Sequence, residues 1–143
     1  MKLSTKGRYG IKAMVDLALV YGSDRLSVNQ LAEKQGISDA YLEQLIASLK
    51  KAKLVESARG AAGGYTLSRP PEEISVGEVL RALEKTTAIV DCVDVGGGPC
   101  ANACVCSARP LWLKLQNRID DVLNTTSIKD LADDHTAQLE RSL

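Results

Sequence analysis

The chain has 143 residues, 45% hydrophobic and 25% charged, a balance that can bury a core but is too short for two large domains. No apolar run approaches the roughly 20 residues of a membrane helix, and the first ten residues carry charges where a signal peptide needs an apolar stretch, so a cytoplasmic protein with no membrane partner is expected. The net charge of zero is unevenly divided: residues 1–70 hold 11 Lys/Arg against 6 Asp/Glu, whereas residues 71–143 hold 7 against 12, which points to a polyanion-binding module with something else attached.

Ser4 or Thr5 can cap a first helix over residues 5–21, in which Tyr9, Ala13, Met14, Leu17, Ala18 and Tyr21 recur at three- and four-residue spacing before Gly22. Ser27 with Gln30 is a capping-box pattern opening a short helix that ends at Gly36. Ser38 caps the next helix, where Leu42, Leu45, Ile46 and Leu49 form one apolar stripe. Two short helices joined by Gln35-Gly36-Ile37-Ser38 have the form of a helix-turn-helix. Val55 to Arg59, the glycine-rich stretch 60–64 and the run Tyr65 to Ser68 then predict a β-hairpin. A helix-turn-helix followed by a hairpin is a winged helix.

Such a unit lays its second helix in the major groove and its hairpin against the backbone or minor groove. Ser38, Tyr41, Glu43 and Gln44 lie in the N-terminal turns of that helix. Gln44 suits adenine, and Glu43 suits the cytosine amino group. Arg59 at the hairpin tip suits a narrow, negative A·T minor groove. Lys6, Arg8, Lys50, Lys51 and Lys53 would serve phosphates. Helix pairs with hairpins also occur in protein-interaction domains, and scattered lysines are commonly a solvated face. Gly63-Gly64 is not followed by a G-K-S/T sequence, which argues against a nucleotide phosphate loop.

In the acidic half, Arg69-Pro70-Pro71 ends the hairpin, and Ser75 with Glu78 caps a helix running to about Lys85. Residues 86–107 lack helical periodicity and contain all four cysteines, at 92, 100, 104 and 106. Clustered thiols in a reducing cytosol are more often metal ligands or redox groups than disulfides. Their C-x7-C-x3-C-x-C spacing leaves an iron–sulfur cluster, a zinc site and a thiol switch all open. Leu111, Trp112, Leu115, Ile119, Val122 and Leu123 then recur along a helix at 110–124, as a dimerisation stripe or as the completion of the monomer core. Residues 128–132 suggest one more short helix, with a frayed tail after Asp133 that includes His135. The expected layout is thus a mainly α chain with a small hairpin: a winged helix-turn-helix at 1–70, a linking helix and cysteine loop at 71–107, and a long C-terminal dimerisation helix with its tail at 108–143.

Met1 to Gly10, Gln35-Gly-Ile-Ser38, Tyr41-Leu-Glu-Gln-Leu45, Gly-Gly-Tyr65, Val76-Gly-Glu-Val79 and the cysteine loop followed by Leu111-Trp112 resemble the IscR-like family of iron–sulfur cluster regulators. The resemblance extends to about residue 132 and implies a homodimeric winged-helix transcription factor without catalytic activity, acting on palindromic double-stranded DNA. Its relatives sense nitric oxide, redox state, iron or cysteine supply. It implies cluster ligands at Cys92, Cys100 and Cys106, with 2Fe-2S favoured and 4Fe-4S the alternative. Cys104 is additional. The family's histidine ligand falls at Arg109, which stays protonated and cannot bind metal, and the carboxylate used by other relatives falls at Arg8. Cys104 is therefore the economical fourth ligand, with water, a small thiol or a partner-chain residue as alternatives. The rival expectation is a zinc- or thiol-based regulator acting through a protein partner.

Overall fold

The computed structural model describes residues 2–58, 63–94 and 106–143. Within them lie α1 (Thr5–Leu19), α2 (Val28–Gln35), α3 (Asp39–Lys51), β1 (Val55–Ser57), β2 (Tyr65–Leu67), α4 (Val76–Leu83), α5 (Arg109–Thr125) and α6 (Ile128–Ser142). Short 3-10 turns occupy Pro71–Glu73 and Asp91–Val93. The strands pair antiparallel, with Val55 opposite Leu67 and Ser57 opposite Tyr65. Leu26 pairs with β2 as well: its N–H donates to the Tyr65 carbonyl at 3.2 Å and its carbonyl accepts from the Tyr65 N–H at 2.8 Å. This is the mainly α winged helix-turn-helix that the sequence predicts.

Serine starts every α-helix of the described residues but α5. Ser4, Ser27, Ser38, Ser75 and Ser127 each accept a hydrogen bond from a backbone N–H of the first turn, satisfying donors that have no partner inside the helix. Both predicted capping boxes form, Ser27 with Gln30 and Ser75 with Glu78. A third, Ser127 with Asp130, starts α6.

One apolar cluster joins Met14 and Leu17 of α1, Leu31 of α2, Leu42, Leu45, Ile46 and Leu49 of α3, Val55 and Leu67 of the hairpin, Val79 of α4 and Ile128 of α6. The residues on the two sides of position 70 therefore share one hydrophobic core. The first helix stops two residues short of Tyr21, whose N–H already folds back on the Ala18 carbonyl at 3.2 Å. The fourth ends at Leu83 rather than Lys85, because Glu84 turns to extended backbone and its carboxylate accepts the Ser4 N–H and hydroxyl, each at 2.8 Å.

The tail requires a larger correction. Instead of a short helix that frays after Asp133, α6 continues to Ser142. Its start is tied to α4 by two backbone bonds, Val76 N–H to the Thr126 carbonyl at 2.9 Å and Ile128 N–H to the Ile74 carbonyl at 2.8 Å. Its body packs along α1, where Leu131 and His135 face Ile11 and Val15 across a cavity of about 630 Å³. His135 therefore belongs to an ordered helix.

The hairpin is braced to α4 by Arg69, which pairs with Glu78 and also reaches the Glu73 carbonyl. Burial pushes the Glu78 carboxyl up. The Ser75 backbone bond and the Arg69 guanidinium outweigh that, leaving it below its ordinary 4.5. A depressed carboxylate adds stability above its unfolded-state value and loses it as pH falls through the folded-state value. The stability difference between wild type and Glu78→Gln, measured by urea unfolding across a pH series, should be largest above about pH 4.5 and shrink on acidification.

Candidate nucleic-acid interface and cysteine centre

Two backbone turns aim α3. At the end of α2, Gly36 adopts φ +68°, its N–H reaching the Glu33 carbonyl at 3.2 Å while the Ile37 N–H reaches that of Ala32 at 3.1 Å. This pattern stops a helix and redirects the chain within two residues. The same motif ends α3, with Lys53 N–H to the Lys50 carbonyl and Leu54 N–H to that of Leu49, but the left-handed position is held by Lys53 at φ +61°. Leu54 and Leu49 are both buried, which anchors the entry to β1.

Between these turns, Leu42, Leu45, Ile46 and Leu49 are buried, so Glu43, Gln44, Lys50 and Lys51 stand on the exposed side of α3. Ser38 accepts from the Tyr41 N–H at 3.1 Å, and its own O–H remains able to donate. Tyr41 is half-buried, with its ring edge-on to Tyr9 at 6.2 Å and 87°. That contact brings the first two turns of α1, which carry the exposed Lys6 and Arg8, beside the start of α3. Lys50 bonds Ser57 at 3.0 Å and lies 5.8 Å from the Tyr65 ring centre, joining α3 to the hairpin. The structure thus groups Lys6, Arg8, Ser38, Tyr41, Glu43, Gln44 and Lys51 around one helix. Arg59 lies outside the described residues.

Of the four cysteines, Cys92 and Cys106 are described, both free and half-buried, while Cys100 and Cys104 lie outside the described residues. Cys92 is on the 3-10 turn Asp91–Val93, which packs against α5, and Cys106 stands three residues before that helix. Among the described residues, no three His, Cys, Asp or Glu side chains converge on a metal-sized site. Two free thiols, with two more between them in sequence, make a soft donor set that fits an iron–sulfur cluster. Arg109 opens α5 with its Nε buried and without a hydrogen-bond partner among the described residues.

The predicted stripe of α5 divides into two faces. Trp112, Ile119 and Leu123 are half-buried, whereas Leu111, Leu115 and Val122 are 51%, 42% and 62% exposed. Between the inner residues sits Gln116, at 7% exposure the buried polar side chain of the described residues. Its Oε1 accepts from the Ile89 N–H at 2.8 Å, and its Nε2 donates to the Thr87 carbonyl at 3.2 Å and to Asp120 at 2.9 Å. Sequence reading missed Gln116. Its signal was a polar residue in register with the inward positions Trp112, Ile119 and Leu123.

An exposed helix aimed by two tight turns and braced by a hairpin defines a winged-helix DNA-binding regulator. The chain belongs to the Rrf2 family, described as an iron-dependent transcriptional regulator, which it matches over residues 3–134. It is 38% identical over 132 residues to the HTH-type transcriptional regulator CymR of Bacillus subtilis (strain 168), covering 92% of this chain and 90% of that protein. It is 40% identical over 135 residues to the HTH-type transcriptional regulator IscR of Vibrio vulnificus (strain YJ016), covering 94% and 79%. Among solved structures it is similar to CymR (YrzC), the global cysteine regulator of B. subtilis, with a TM-score of 0.78 at 38% identity over 93% of this chain and 97% of that one. It is also similar to T. potens IscR, with a TM-score of 0.76 at 41% identity over 94% and 88%. The resemblance read from the motifs is confirmed, and the protein is a helix-turn-helix transcriptional regulator rather than an enzyme.

The two turns have opposite expected responses to substitution. Gly36→Ala places a β-carbon on a left-handed residue and should lower stability by about 1 kcal/mol. Lys53→Gly relieves the same strain, and after the entropy of glycine is deducted it should raise stability by about 0.5–1 kcal/mol. Urea unfolding midpoints of the two variants check both signs.

Proposed function

We propose that the protein is a cytoplasmic homodimeric repressor whose DNA binding responds to redox, iron or nitric oxide state through an iron–sulfur cluster, 2Fe-2S before 4Fe-4S. The observation that carries this reading is the place of the cysteine loop in the chain. Cys92 follows α4 in the chain, and Cys106 stands three residues before α5, the helix with an exposed apolar line. In this reading Cys92, Cys100 and Cys106 hold the cluster with Cys104 as the fourth thiolate, since the protonated Arg109 supplies no ligand. When bound, the cluster supplies reversible one-electron chemistry.

Gln44 and Glu43 read base edges in the major groove, with Tyr41 and Ser38 beside them at the start of α3. Lys6, Arg8 and Lys51 take phosphates, and Arg59 takes the minor groove. Leu111, Leu115 and Val122 meet their copies across a two-fold axis, which matches a palindromic operator with half-sites about one helical turn apart. Among the described residues no helix is long and apolar enough to cross a membrane, in keeping with a cytoplasmic place of action.

Anaerobically purified protein should be coloured and contain iron and acid-labile sulfide, and its affinity for operator DNA should differ between holo and apo forms. Ser substitution of Cys92, Cys100 or Cys106 should strongly reduce iron content, and Cys104→Ser should change the visible spectrum. Zinc without sulfide would replace this reading with the zinc- or thiol-based regulator. Leu115→Asp should break the dimer in sedimentation and remove palindromic DNA binding with it. Binding by the intact dimer, if about 6 to 10 phosphates are contacted, should weaken on the order of 10³-fold or more between 50 and 200 mM salt.

A further inference from the structure

We propose that Gln116 is a positioning residue for Cys92: its buried amide holds the segment leading into the cysteine loop on α5 and so fixes where that thiol sits relative to Cys106. The ligand half of this proposal rests on the cluster reading above, whereas the positioning half rests on geometry alone. Three hydrogen bonds converge on one side chain. Oε1 takes the Ile89 N–H, Nε2 gives one hydrogen to the Thr87 carbonyl and the other to Asp120, and Asp120 lies one turn further along α5. The amide is therefore fixed in orientation as well as in place, because neither half can swap without turning a donor toward the Ile89 N–H.

The next element after Ile89 is the turn Asp91–Val93 that carries Cys92, and it also packs on α5. Val93 and Asp94 share with Gln116 and Asp120 the walls of a cavity of about 290 Å³. Cys106 precedes the same helix by three residues. One end of the loop is thus set by the chain itself, and the other by a side chain ten residues further along the chain than Cys106. No residue of α5 belongs to the apolar core cluster, and its half-buried Trp112, Ile119 and Leu123 lie outside it, so that cluster does not hold this end.

The test uses the full-length protein with Gln116→Leu, which keeps bulk and removes all three bonds, and Gln116→Glu combined with Asp120→Asn, which exchanges donor and acceptor within that pair and keeps an acceptor for Ile89 but gives up the donor to the Thr87 carbonyl. In apo protein, Gln116→Leu should lower hydrogen-exchange protection of the Ile89 amide and raise the alkylation rate of Cys92 by iodoacetamide, each about tenfold, with Cys106 as the internal reference. In anaerobic holo protein, the half-life of bound iron and sulfide should fall by a similar factor. The exchanged pair should recover part of each change, while the global unfolding midpoint moves little. Unchanged Cys92 alkylation in Gln116→Leu, or a loss that appears only as a lowered global midpoint, overturns the proposal. Equal cluster lifetimes in wild type and variant overturn its ligand half. Absence of iron and sulfide from the wild type removes the cluster reading and the ligand half with it, while the apo-protein rates still decide whether Gln116 positions the thiol.

Discussion

Helix α1 carries no side chain at Gly7 and Gly10, and α4 occupies the space. A β-carbon at Gly10 would sit 2.0 Å from Leu83 Cδ1, and one at Gly7 would sit 2.3 Å from the Glu84 carboxylate. Both glycines are buried. The close approach is completed by Glu84, which accepts two hydrogen bonds from Ser4 at the other end of the same contact. Everything else depends on this seating. With α4 against α1, Val79 and Ile128 reach the apolar cluster built by the reading helices, and α6 runs back along α1. Larger side chains at the two glycines would have to move α4 or rotate Leu83 and Glu84, and overpacking of this kind is destabilising in a close-packed interior.

The same seating explains how a chain of zero net charge can serve a polyanion. The basic surplus lies in residues 1–70 and the acidic surplus in 71–143, yet the two halves share one core. Where they meet, Arg69 pairs with Glu78 at the hairpin root, and the neutral Ser4 donates to the Glu84 carboxylate at the start of α1. Lys6, Arg8 and Lys51 stay exposed around α3 and the start of α1, where the proposed phosphate contacts fall.

Much of this was legible in the sequence because it is written in local signals. The serine caps, the Gly36 turn and the leucine stripe of α3 depend on neighbours within four residues, and each formed as read. What sequence missed depends on contacts between distant segments. Gly7 and Gly10 meet residues more than seventy positions away, and Gln116 meets residues 87–89. The length of α6 was misjudged for the same reason. Residues 133–142 look too polar to hold a helix alone, but Leu131 and Ala132 dock on a helix from the other end of the chain. The stripe of α5 was seen as one face because six apolar residues recur along it, although their angular spread is wide enough to serve an inner and an outer surface.

Helix α5 is consequently held unlike the others. Its C-terminal end is fixed by Arg81, which donates to Asn124 at 3.0 Å, and by the backbone bridge that starts α6. Its middle is fixed by the Gln116 amide, and its outer face is apolar and exposed. Arg109 begins it with a buried nitrogen that has no partner among the described residues. Elements tied by a few polar contacts open more easily than those locked in a core. The helices that present α3 are locked in the core, whereas the helix that follows the cysteine loop is tied by hydrogen bonds. A change at Cys92 or Cys106 therefore bears first on the helix with the exposed apolar line. In the proposed dimer, the spacing of the two winged helices would then be set through α5 while each keeps its own packing.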